Sequence, residues 1–215
     1  MGAQAPEPES QVRGRVVARS PEPADFYCGV TLVGALVMTM AGAVTEALFL
    51  AVTFLAMLGL RRLELPTAFE LSVAIGIVLQ GWGNALLLFE RIAWYDKAVH
   101  FLTPLLMIPS LYLLLARVGA LPPPWNSSLR RGTLGVFVVT LALGVGFAAG
   151  WELVEGTSDR WLGTSLAHGY FETIDDLYSS LLGSVAAGAL LAWWVVAGDR
   201  DLAEDRDTTV HGRLR

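Results

Sequence analysis

Apolar stretches long enough to cross a bilayer, parted by short polar joints, run through most of this chain. A spanning helix needs ~20 consecutive, mostly apolar residues. Stretches of about that length fall at residues 68–89, 98–117, 133–151 and 177–197. A longer run, residues 26–60, contains a single charge, Glu46. As one helix its 35 residues would extend roughly 52 Å at ~1.5 Å per residue. The hydrocarbon core is only ~30 Å thick. Two short helices turning near Gly42–Glu46 fit that thickness better than one long tilted helix. The pattern predicts an all-α, polytopic transmembrane helical bundle of about six spans, with five as the alternative.

Composition agrees with that reading. Apolar residues make up 54% of the chain, charged residues 16%, and the mean hydropathy is +0.53, well above an ordinary soluble domain. The two ends differ from the middle. Residues 1–25 hold Pro6, Pro8, Pro21 and Pro23 among charges, and residues 199–215 are of mixed charge. Neither end has the apolar surface to offset the entropy of ordering. Both are expected as solvated, disordered tails flanking a transmembrane domain at 26–198. No signal-peptide pattern precedes the first apolar stretch, and Pro6 stands where a myristoylation signal needs Ser or Thr. A lone cysteine, Cys28, excludes an internal disulfide. The net charge of −5, without a nucleic-acid motif or a phosphate-cradling glycine loop, argues against nucleic acid as a partner.

Basic residues orient the bundle. With the N-terminus inside, the inner segments hold Arg13, Arg15, Arg19, Arg61, Arg62, Arg117, Arg130, Arg131, Arg200, Arg206, Arg213 and Arg215. The outer side keeps Arg91, Lys97 and Arg160. Twelve against three is the bias that sets topology, and it puts both termini in the cytoplasm. The Asn126-Ser127-Ser128 sequon then falls in an inner loop. Two small-xxx-small pairs, Gly146/Gly150 and Ser184/Gly188, are expected to pack the fifth and sixth spans tightly.

Three polar clusters fall on the outer side. Asp96 and His100 lie four apart at the mouth of span four and share a helix face. Glu152 and Glu155 lie three apart at the end of span five. Glu172, Asp176, Ser180 and Gly183 form one stripe leading into span six. Each cluster has an ordinary explanation: a helix-mouth His bonded to Asp96, solvated acids, or acids complementing a helix N-terminus. Together they suggest a site. Carboxylates near lipid are costly unless they face a cavity, pair, or bind a cation. A divalent ion among them is one resolution, and carboxylates with one imidazole suit Mg, Mn, Zn or Fe. The candidate metal ligands are Asp96, His100, Glu152, Glu155, Glu172 and Asp176. Asp159 and His168, in the loop between spans five and six, are weaker candidates. Tyr95 and Trp151 are expected in the interfacial aromatic belt.

Four stretches carry a resemblance: Tyr95-Asp96-Lys97-Ala98-Val99-His100-Phe101, Trp151-Glu152-Leu153-Val154-Glu155, Leu162-Gly163-Thr164, and the acidic lead-in to span six. In that order, over roughly residues 30–197, the chain resembles the YjdF-like bacterial inner-membrane family, a membrane domain of unknown function. The resemblance implies a multi-pass protein of the bacterial inner membrane. Where that family has Asp-Thr-x-x-Asp, this chain has Glu172-Thr173-Ile174-Asp175-Asp176, its first acid one methylene longer. A more distant likeness is to the VanZ-like membrane proteins, through Asp96, Lys97, His100, Phe101, Glu152, Asp176, Ser180 and Gly183. There Ser180 stands where an amide is frequent. That likeness leans towards the cell envelope and its lipids.

Three functions stay open. In the first, a metal- or proton-binding site on the extracytoplasmic side acts on an envelope lipid or lipid-linked substrate, with Glu155 as general base. The second is a small cation- or proton-coupled transporter. The third is a non-catalytic membrane scaffold whose polar groups only hold helix ends together.

Overall fold

Residues 26–60 turn back on themselves. Helix α1 (Pro23–Met40) and helix α2 (Val44–Arg61) are joined by three residues. Gly42 makes the reversal possible by taking φ +76°, which an L side chain adopts only with strain. The structure, a computed structural model, describes residues 23–124, 132–163 and 169–211. The expected N-terminal tail up to residue 22, the sequon, Thr164 and His168 lie outside them.

Five further helices follow: α3 (Thr67–Ala85), α4 (Leu88–Arg91), α5 (Tyr95–Arg117), α6 (Gly132–Leu162) and α7 (Tyr170–His211). The fold is all-helical, with no strand among the described residues. Four helices, α2, α5, α6 and α7, are long and apolar enough to cross a membrane. Helix α1 is apolar but shorter. Helix α3 has 19 residues and carries Glu70, Gln80 and Asn84 among its apolar positions. Helix α7 starts seven residues earlier than expected and continues to His211.

The helices form two groups. Helices α1, α2 and α3 pack on one another, as do α5, α6 and α7, and α3 against α5 joins the groups. Among the described residues, no Cα of α2 lies within 8 Å of one in α6. At one end Arg61 bonds Glu70 at 2.7 Å and Asp25 at 2.9 Å. Arg117 caps the same end by donating to the carbonyls of Leu63 and Glu64. Just above lies an apolar plug of Met57, Leu60, Leu65, Val73 and Ala74, with Ile77 and Met107 packed on it. Asp96, His100, Glu152, Glu155 and Asp176 occupy the opposite ends of their helices.

Two devices lock α7 onto α5. Pro104 has no N–H, so the carbonyl of His100, four residues earlier, loses its helical partner. The Ser180 hydroxyl of α7 donates to that carbonyl at 3.1 Å. One turn on, Gly183 lies so close that an added Cβ would stand 2.0 Å from the Phe101 carbonyl oxygen. The small-residue expectation holds for one pair only. Ser184 fills the space at Gly144, and Gly188 packs on Phe137, so α6 and α7 do pack closely. Gly146 and Gly150 have nothing within 4 Å of where a Cβ would stand. Tyr95 is also not a belt residue. It is buried, its hydroxyl donating to the Leu79 carbonyl at 2.7 Å and its ring edge-on to Phe89.

Candidate metal centre

Helical spacing brings the polar residues to common faces, and the packing of α7 on both α5 and α6 makes those faces meet. Asp96 and His100 open α5, with His100 Nε2 3.5 Å from Asp96 Oδ1. Helix α6 runs past Trp151, so Glu152 and Glu155 stand on a continuous helix. Glu152 Oε1 lies 3.9 Å from His100 Nδ1. Asp176 descends from the start of α7 and is 1% exposed; His100 is 8% exposed. Ligand atoms of Asp96, His100 and Asp176 all lie within 4.8 Å of one another, as do those of His100, Glu152 and Glu155. His100 belongs to both sets.

Hydrogen bonding around His100 relates its two nitrogens to Ser180 and Asp96. Ser180 has one hydroxyl proton, and its oxygen lies 3.1 Å from the His100 carbonyl oxygen. Ser180 Oγ also lies 3.3 Å from His100 Nδ1: with the hydroxyl proton on the carbonyl, Nδ1 is the donor in that contact, and with it turned to Nδ1, the imidazole proton sits on Nε2 towards Asp96. In the first tautomer the Nε2 lone pair faces the Asp96 carboxylate. Two electron-rich atoms facing each other need a cation between them or a proton on one. A metal-binding His whose other nitrogen donates to a fixed acceptor is a recurrent arrangement.

Two buried oxygens point the same way. Glu152 Oε1 and Asp176 Oδ1 are buried with no hydrogen-bond partner. A buried carboxylate oxygen without compensation is costly, and a coordinated cation compensates it. Four carboxylates and one imidazole are a donor set for Mg, Mn, Zn or Fe. The residues present thus fit a divalent ion, at Asp96, His100 and Asp176 or at His100, Glu152 and Glu155.

Other expected positions fall differently. Glu172 joins neither ligand set, though its charge acts on His100, Glu152 and Asp176. Asp175 pairs with Lys97 at the exposed mouth. Asp159 belongs to neither ligand set. Trp151 does more than border the lipid: its indole N–H donates to Glu155 Oε1 at 2.7 Å and holds that carboxylate in place. The four-residue spacing of Trp151 and Glu155 on one helix was the available signal. Ser180 was visible in the stripe, but its contacts with the His100 carbonyl and Nδ1 depend on Pro104 and on the packing of α7.

The chain belongs to the family described as "Predicted membrane protein (DUF2238)", which matches residues 26–197. That membership is consistent with the YjdF-like resemblance and does not extend to the VanZ-like one. No curated protein and no solved structure matches the chain.

Proposed function

We propose that this member of the predicted membrane protein family holds a divalent cation among α5, α6 and α7 and uses it on an envelope lipid or lipid-linked substrate. The observation that carries the proposal is the pair of buried, unpartnered carboxylate oxygens of Glu152 and Asp176 beside a buried imidazole. Asp96, His100 and Asp176 would hold the ion, with Glu152 completing the set. Bound there, a divalent ion would polarise a phosphoryl or carbonyl oxygen and lower the pKa of a coordinated water. Glu155, oriented by Trp151, is the carboxylate we assign as general base.

In this reading the bundle crosses the bacterial inner membrane six times, α1 and α3 included, with both termini cytoplasmic. The bias of basic residues supports that orientation, and Arg61, Arg62 and Arg117 stand at the end opposite the carboxylates. The centre then faces the extracytoplasmic side. Transport draws less support. The plug around Met57, Val73 and Met107 separates the carboxylates from the Arg61–Glu70 pair, and a relay needs ionisable groups on through the barrier.

Metal content of detergent-purified protein tests the proposal, comparing wild type with His100→Ala and Asp176→Asn. Near-stoichiometric divalent metal, lost in both variants while their elution profiles stay intact, is expected. Wild type that holds no metal after loading with Mn and Zn would refute it.

A further inference from the structure

Beneath the carboxylates lies a cavity of about 350 Å³ between the two helix groups, within the size range of small-molecule sites. Val52 and Ala56 of α2, Ile77 of α3, Met107 of α5 and Phe147 of α6 make its apolar wall. His100 and Ser180 close its upper end, so it is continuous with the candidate metal centre. Helices α2 and α6 both line the cavity, with their backbones more than 8 Å apart throughout the described residues, and the gap between them opens sideways. Val52, on that rim, is 60% exposed. In a bilayer an open, apolar gap of this kind faces hydrocarbon.

We infer that the cavity takes one acyl chain of a zwitterionic phospholipid, entering laterally between α2 and α6, with its headgroup at the carboxylates. The layout matches a lipid in the leaflet on that side: polar cluster at the interface, apolar gap running inward from it. Charge selects the headgroup. Asp96, Glu152, Glu155, Glu172 and Asp176 crowd the upper end, and Lys97 there is already paired with Asp175. An anionic head adds repulsion, whereas the ammonium of phosphatidylethanolamine brings a positive charge to the carboxylates, and its phosphate can approach a bound cation. Gln80 and Asn84 line the same cavity. The Asn84 amide donates to the Gln80 backbone carbonyl at 2.8 Å, and the side-chain N–H groups of Gln80 and Asn84 are the donors that the lipid's ester carbonyls can accept from.

This inference deepens the proposed function and rests on the same carboxylates, but chain occupancy can be read without activity or metal. The purified chain is placed in vesicles carrying a trace of phosphatidylethanolamine with a diazirine near the middle of one acyl chain, then irradiated and mapped by peptide mass spectrometry. A phosphatidylglycerol carrying the same diazirine serves as comparison. The expected result is labelling at Ile77, Met107 and Phe147 by the first probe in excess of the second. Ala56→Trp and Val52→Trp, both at exposed α2 positions, should abolish it while outward-facing Leu182 and Val138 stay labelled. Equal labelling of the cavity by both probes, or labelling unchanged in both Trp variants, overturns the inference. Metal content is measured on the same samples. Cavity labelling in protein that never holds metal supports the lipid site and sinks the metal reading alone; metal without selective labelling overturns the lipid site alone.

Discussion

Gly183→Ala puts the packing of the candidate centre under direct test. The new Cβ would lie 2.0 Å from the Phe101 carbonyl oxygen and 2.9 Å from Pro104 Cγ. Non-bonded carbon–oxygen contacts sit near ~3.3 Å, so α5 and α7 must part locally by about 1.3 Å. The obstruction is backbone, and no rotamer relieves it. Overpacking of this kind costs about 1–3 kcal/mol. The same displacement reaches the ligands. Ser180 and Asp176 lie one and two turns back along the same face of α7. Parting the helices lengthens the 3.1 Å Ser180 bond and draws Asp176 away from His100. Disturbing supporting contacts of this sort weakens metal affinity about 10- to 100-fold. Thermal melting in detergent and calorimetric titration with Mn read the two effects separately. Gly146→Ala is the matched control, since nothing lies within 4 Å of its Cβ position. Should Gly183→Ala match Gly146→Ala in both melting and affinity, the account of how α5 meets α7 is wrong.

Three further outcomes follow from the same geometry. Ser180→Ala leaves the His100 carbonyl without its donor and should cost about 1–3 kcal/mol. Adding Pro104→Ala restores an N–H at position 104, so the double variant should melt above Ser180→Ala alone; additive losses would exclude the exchange of partners. Arg61→Ala removes the guanidinium from Glu70, whose side chain is 1% exposed, and should cost about 3–5 kcal/mol. Arg61→Ala combined with Glu70→Leu should recover part of that stability in chemical denaturation, and failure to recover any would mean the pair is not the cause. With Cys28 replaced by Ser, Lys97→Cys should react with an impermeant maleimide added outside intact cells, while Arg117→Cys should react only after lysis. The reverse pattern would invert the orientation.

Much of this arrangement is written in local pattern. The hairpin of α1 and α2 follows from a length that no bilayer accommodates and a glycine where a reversal is needed. The convergence at His100 was half visible, because spacings of three and four put Asp96 with His100, and Glu152 with Glu155, on shared faces. Spacing alone does not say which helices adjoin. That is decided by Ser180, Gly183 and Ser184, small residues that let α7 touch α5 and α6 at once. The GxxxG pattern at Gly146 and Gly150 misled because the motif reports backbone accessibility, not the face that finds a partner; the contact falls at Gly144.

The apolar plug has a consequence for the energetics of an energised membrane. An insulating layer of Met57, Leu60, Val73 and Met107 is where the transmembrane voltage must fall, because polar, wettable ends conduct and the plug does not. A cation reaching His100 has travelled only about 7.5 Å along α5 from Tyr95, out of a helix about 35 Å long. Crossing the whole field is worth about 2.3 kcal/mol per charge per 100 mV. A divalent ion at His100 would feel roughly a fifth of that per charge at most, about 1 kcal/mol in all at 100 mV. In the proposed orientation such a centre would be electrically part of the outer compartment, and its occupancy would follow the ions outside the cell and hardly respond to the membrane voltage.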